Sequence, residues 1–160
     1  MRVFSLLTGV VFLLSGCAST KVEVKPEEQI VGVWHLKDYG SGSYEYSQLG
    51  FTPNGRKCVV SISMNGNGIP MVDYYDNTWE INNGVLESTV GNSPSSSLPK
   101  GYLIKDHIKL LNQDELIVKM ESSYGFDSPL EKHQKLHGVK PERICQLVEN
   151  YARSLKRNNA

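Results

Sequence analysis

The sequence predicts a mainly β fold: about eight antiparallel strands in a meander that closes as a small barrel, with one C-terminal α-helix packed on it. Three observations carry this reading. Short runs rich in β-branched and aromatic residues recur at regular spacing between residues 30 and 120. Turn-forming Asn-Gly, Pro-Asn-Gly and Asp-Asn groups separate them, which is the rhythm of an antiparallel meander. After Pro141 the period changes to that of a helix. The chain has 160 residues with 17 Lys+Arg against 17 Asp+Glu, and 39% of it is hydrophobic. That length suits one domain with a tail, and the composition is that of a folded chain. The balanced charge, with no basic block, removes nucleic acid from the partners.

At the N-terminus, Met1-Arg2 precedes an apolar run over 3–14 that is too short for a spanning helix and has the length of a signal-peptide core. It ends in Leu14-Ser15-Gly16-Cys17. This pattern resembles the lipobox of bacterial lipoproteins. The resemblance implies that 1–16 is a signal peptide, that the chain is cut before Cys17, and that Cys17 carries acyl chains on its thiol and its amino group. It also implies a lipid-anchored protein of the cell envelope. Ala18, rather than Asp, matches the outer-membrane class if the host is Gram-negative. Residues 17–29 then read as the acylated Cys and a polar, Pro-containing flexible tether.

The strands follow in order. Residues 30–37 (IVGVWHLK) form the first, and 44–51 (YEYSQLGF) the second, after a Gly/Ser loop. Thr52-Pro53-Asn54-Gly55 is a turn leading into 57–63 (KCVVSIS). Asn65-Gly66-Asn67-Gly68 turns the chain into 69–75, where Pro70 fits a strand start or an edge. Asp76-Asn77 breaks the chain before 78–81, and Asn82-Asn83-Gly84 turns it into 85–90. A low-complexity loop over 91–99 precedes 101–104 and 107–111, with Lys105-Asp106 between them, and 115–120 closes the set. The barrel is thus assigned to 30–120. Residues 121–160 are assigned to a loop and a helix whose apolar face is Ile144, Leu147, Val148, Tyr151 and Leu155. That helix either packs on the barrel or meets a partner or a membrane surface.

With Cys17 set aside, Cys58 and Cys145 remain. In an oxidising compartment they are most simply one disulfide, pinning the helix to the third strand; the alternative is two buried free thiols.

Gly32-Val33-Trp34 opens the meander, and Phe51-Thr52-Pro53-Asn54-Gly55, Trp79-Glu80-Ile81 and Asn83-Gly84-Val85-Leu86 continue it. Gly-x-Trp in this setting resembles the lipocalin signature, and the whole looks like the lipocalin-like barrels of small bacterial lipoproteins. The resemblance implies that Gly32 and Trp34 are structural, with Trp34 closing the barrel floor. It also implies a disulfide from an early strand to the C-terminal region. The family stacks an Arg on this Trp, for which Arg143 and Arg153 are the candidates.

No motif for catalysis or cofactor binding is found, and the protein is read as non-enzymatic. Ser95, Ser96 and Ser97 lack a nucleophile elbow, and His35 and His107 stand alone. His133 and His137 are spaced to share a helix face near Glu131, but two ligands do not make a zinc site, so no metal is assigned. The aromatic set is more informative. Tyr44, Tyr46, Phe51, Tyr74, Trp79 and Tyr102 are spread over several strands. They either line a cavity for one small apolar ligand or fill a solid core. Two functions follow. One is a membrane-anchored binding module for a small hydrophobic molecule or lipid. The other is an envelope structural or interaction lipoprotein, an inhibitor included, acting through loops such as 64–70 and 91–99.

Overall fold

The computed structural model describes residues 24–38, 46–64, 67–95, 98–121 and 128–158, so Cys17 and Tyr44 lie outside the described residues. A short helix α1 (Pro26–Ile30) precedes eight strands. These are β1 (Gly32–Asp38), β2 (Tyr46–Phe51), β3 (Arg56–Met64), β4 (Pro70–Asn82), β5 (Val85–Asn92), β6 (Leu103–Leu111), β7 (Glu115–Met120) and β8 (Leu130–Leu136). A second helix, α2 (Glu142–Asn158), ends the described chain. Every strand pairs antiparallel with its neighbour in sequence, and β8 pairs back onto β1, so the sheet is a closed barrel without edges.

The turns at 52–56 and 83–84 form where the sequence places them. Asn83 and Gly84 both take positive φ, 51° and 78°, the conformation a two-residue hairpin needs. The Thr52 hydroxyl accepts from Arg56 N at 3.0 Å and closes the 52–56 turn. Pro70 begins β4 opposite Met64, where its missing N–H costs no ladder bond.

Four expectations are corrected. First, the chain does not break at Asp76-Asn77. β4 runs through it with a register shift, because the Arg56 guanidinium holds the Asp76 carboxylate at 3.0 Å. Second, β6 runs through Lys105-Asp106, and its register shift lies between Ile108 and Leu110. Third, the barrel is not confined to 30–120. The segment expected as loop supplies β8, whose inward positions Glu131, His133 and Lys135 are all polar and so hide the period-two pattern. Fourth, the segment expected as a tether runs into a helix, Pro26–Ile30. Pro26 starts α1 at a position where a missing N–H is harmless, and Ile30 is fully buried in the barrel floor.

Two apolar layers result. Inside, Ile30, Trp34, Leu49, Phe51, Val59, Leu86, Leu116 and Val118 form the core, with Phe51 and Trp79 meeting edge to face at 5.7 Å. Outside, α2 lies across β2, β3 and β4 and buries Ile144, Cys145 and Val148 against Val33, Cys58, Val60 and Tyr74. Cys58 and Cys145 are joined by a disulfide. Arg56 also reaches Glu149 at 2.8 Å, tying the helix to β3 and β4. The buried seam is narrower than the predicted face, since Leu147, Tyr151 and Leu155 stay substantially exposed. Gly50 sits beneath the start of α2, where a Cβ would come within 2.8 Å of the Pro141 carbonyl oxygen.

Candidate functional site

The floor of the barrel is built from the Gly-x-Trp segment. The Trp34 indole N–H donates to the Ile30 carbonyl at 2.7 Å, joining β1 to α1. The cation over the Trp34 ring is the Lys135 ammonium, 5.0 Å from its centre, and it donates to the Gln29 carbonyl at 2.8 Å. Neither Arg143 nor Arg153 takes that place, since both belong to α2 on the outer wall. Gly32 leaves room for the Lys135 stem, which a Cβ would approach to 2.6 Å. Burial lowers the Lys135 ammonium below its ordinary value.

Above this floor the barrel holds a cavity of about 370 Å³. Leu36, Leu49, Val59, Leu86, Leu116 and Val118 give it aliphatic walls. Its polar side is made by Lys57, Asp106, Glu131 and His133, brought together from β3, β6 and β8. Cross-strand register fixes their direction, because paired residues share a face. Lys57 lies opposite Phe51, Asp106 opposite Leu86, Glu131 opposite Val118 and His133 opposite Leu116, all inward partners.

These groups are closely coupled. The Lys57 ammonium is 3.6 Å from the Asp106 carboxylate, 3.4 Å from the Ser88 hydroxyl and 5.4 Å from the centre of the Phe51 ring. His133 Nε2 lies 3.2 Å from the Glu131 carboxylate, and the His133 side chain is 2% exposed. Its Nδ1 has no hydrogen-bond partner among the described residues, and the same holds for the buried Asn77 side-chain amide. Burial pushes the Asp106 carboxyl above its ordinary value; Lys57 opposes this and Glu131 adds to it. Ser47 and Ser61 bond to each other at 2.8 Å higher in the cavity.

The predicted ligand residues divide. Phe51 lines the bottom of the cavity, with Trp79 packed against it, and Tyr102 stands at its edge, 42% exposed. Tyr46 faces outward, and Tyr74, though it borders the cavity, sets its ring on the outer side. Tyr46 lies tilted beside His35 with ring centres 5.3 Å apart, and Tyr74 stacks on Tyr151 of α2 at 6.0 Å. Tyr74 belongs to the outer layer that α2 covers, whereas Tyr46 is exposed beside His35. His133 and His137 do not share a helix: the first is inside the barrel, and the second sits in a turn bonded to Asp114 at 2.8 Å. No cluster of three His, Cys, Asp or Glu able to hold a metal is present among the described residues.

Sequence reading missed Lys57 and Asp106. Lys105-Asp106 has the composition of a break, and Lys57 opens an apolar run in which Cys58, Val60 and Ile62 alternate away from it. The available signal was Phe51, an expected inward residue that pairs directly with Lys57.

No protein-family model matches the sequence, and no curated protein matches it. Among solved structures, the chain is similar to a lipocalin-like protein from Bacteroides uniformis ATCC 8492, with 12% identity over 68% of this chain and 99% of that one, at a TM-score of 0.42. It is also similar to an uncharacterized protein from Bacteroides eggerthii DSM 20697, with 14% identity over 66% of this chain and 98% of that one, at a TM-score of 0.41.

Proposed function

We propose that this protein is a lipid-anchored binding protein of the cell envelope that holds one small amphipathic molecule inside its barrel. The observation that carries the reading is the cavity of about 370 Å³, within the usual size range of small-molecule sites. Its aliphatic walls favour an apolar body, and its charged side asks for a polar group on the same ligand. Anchoring rests on Leu14-Ser15-Gly16-Cys17, with acyl chains on Cys17 holding the protein to the membrane. The tether from Cys17 joins α1 at the closed floor, which leaves the opposite end of the barrel for ligand access. Binding rather than turnover is favoured because Ser47 and Ser61 bond to each other rather than to His133.

The test uses Nile red, a neutral apolar dye, and a cavity-filling Val59→Phe variant. The wild type should enhance dye fluorescence with saturable binding. The variant should bind at least about tenfold more weakly, the size expected for losing roughly 1.4 kcal/mol of contact, while keeping its circular dichroism. Equal binding by both proteins would remove the cavity as the site. Labelling with radioactive palmitate in the host, lost in Cys17→Ser, checks the anchor.

One observation favours the alternative of an interaction lipoprotein. Met64, Ile69 and Met71, at the β3–β4 hairpin, are 47%, 58% and 49% exposed. Cross-linking in the native envelope that depends on these side chains would support that reading.

A further inference from the structure

The charges that face into the barrel do not balance, although the whole chain does. Among the described residues, the inward side chains bordering the cavity carry one ammonium, Lys57, against three carboxyls, Asp73, Asp106 and Glu131. Asp73 joins this set because it pairs with Ser61, whose hydroxyl is buried inside against Ser47. Lys57 is committed to Asp106 at 3.6 Å. Glu131 has His133 as its partner, and Asp73 has no ion pair among the described residues. Lys105 and Glu121 border the cavity too, but their charged ends pair outside it, with Glu87 and His107 at 3.4 Å each.

A carboxylate head group entering this cavity would find Lys57 already taken by Asp106, and would meet Asp73 and also Glu131, whose one partner is a histidine. A cationic head would meet the partner the cavity lacks. We propose that the barrel selects amphipathic organic cations, with the ligand's ammonium set between Glu131 and Asp73 and its apolar body against Leu49, Val59, Leu86 and Val118. This deepens the binding reading above and rests on it. At roughly 30 Å³ per water-sized group, the cavity accommodates about a dozen non-hydrogen atoms, the size of a ten-carbon amine.

The experiment compares decylamine, decanol and decanoate by isothermal titration near neutral pH. It uses the chain from residue 17 with Cys17→Ser, so that no acyl chain competes. Decylamine should bind at least about tenfold more tightly than decanoate, with decanol between them. The Asp73→Asn/Glu131→Gln variant should keep its circular dichroism and bring decylamine down to the affinity that the same variant shows for decanol. Equal binding of all three, tighter binding of decanoate, or an amine preference that survives the double variant overturns the charge inference, with the cavity reading intact. If none of the three binds and Nile red is also excluded, the cavity reading falls with it.

Discussion

Replacing Lys57 by Met leaves the Asp106 carboxylate alone in the barrel interior, and the size of the effect follows from the geometry. The two side chains are 4% and 11% exposed, with Nζ 3.6 Å from Oδ2. At an effective dielectric near 20, two unit charges at that distance attract by about 5 kcal/mol. Taking each ion out of water costs several kcal/mol, so the intact pair comes close to cancelling. Removing one partner keeps the cost of the other charge and loses the attraction. Lys57→Met should therefore destabilise the fold by about 3–5 kcal/mol at neutral pH, whereas Lys57→Met/Asp106→Leu should lie within about 1 kcal/mol of the wild type or above it. The pH dependence has a definite sign. Burial raises the Asp106 carboxyl in the folded state. Such a group favours folding below its unfolded value, near pH 3.9, and that contribution is lost as pH rises through the folded value. Without Lys57 the carboxyl rises further, so the penalty of Lys57→Met should be full near neutrality and fade below about pH 4. Urea unfolding followed by tryptophan fluorescence at about pH 4 and about pH 7 measures this. A penalty that is the same at both pH values, or a double variant as unstable as the single one, would refute the reasoning.

Three further perturbations have readable outcomes. The Cys58–Cys145 bridge closes a separation of 87 residues, so a Cys58→Ala/Cys145→Ala variant should lose about 4.5 kcal/mol of stability in denaturant melts, with reducing agent producing a similar loss in the wild type. Gly50→Ala should cost roughly 1–3 kcal/mol, since its Cβ would meet Pro141 O at 2.8 Å and Ile144 Cβ at 3.0 Å. Hydrogen exchange in that variant should quicken first in α2. Trp34→Phe removes the 2.7 Å bond to the Ile30 carbonyl and should cost roughly 1–3 kcal/mol, with α1 amides exchanging faster while those of β4 stay protected.

How far the fold could be read in advance depended on whether local and global signals agreed. At Asn83-Gly84 they agree: positive φ is natural to both residues and the hairpin demands it. At Asp76-Asn77 they conflict. The dipeptide favours a turn, yet Arg56 across the ladder holds Asp76 and keeps β4 extended. β8 gave no signal at all. Its inward residues Glu131, His133 and Lys135 are polar because they serve the cavity and the floor, so hydropathy had nothing to alternate. The cation over Trp34 is a lysine of the strand that closes the barrel, not the Arg that the resemblance implies.

The site was harder to read than the fold because α2 reverses the usual meaning of an apolar face. In β3 the residues under the helix are Cys58 and Val60, and those facing the cavity are Lys57, Val59 and Ser61. Hydropathy alone leaves the inner face of that strand undecided, and Tyr46 and the ring of Tyr74 lie on the outer side of the barrel. Cross-strand register resolves the ambiguity. Phe51 pairs with Lys57, Leu86 with Asp106, Leu116 with His133 and Val118 with Glu131. Each of these pairs sets one apolar residue beside one charged or titratable residue on the same inner wall. An interior of that kind is poor as a sealed core, where polar groups need full pairing. It suits a molecule that is itself apolar on one side and charged on the other.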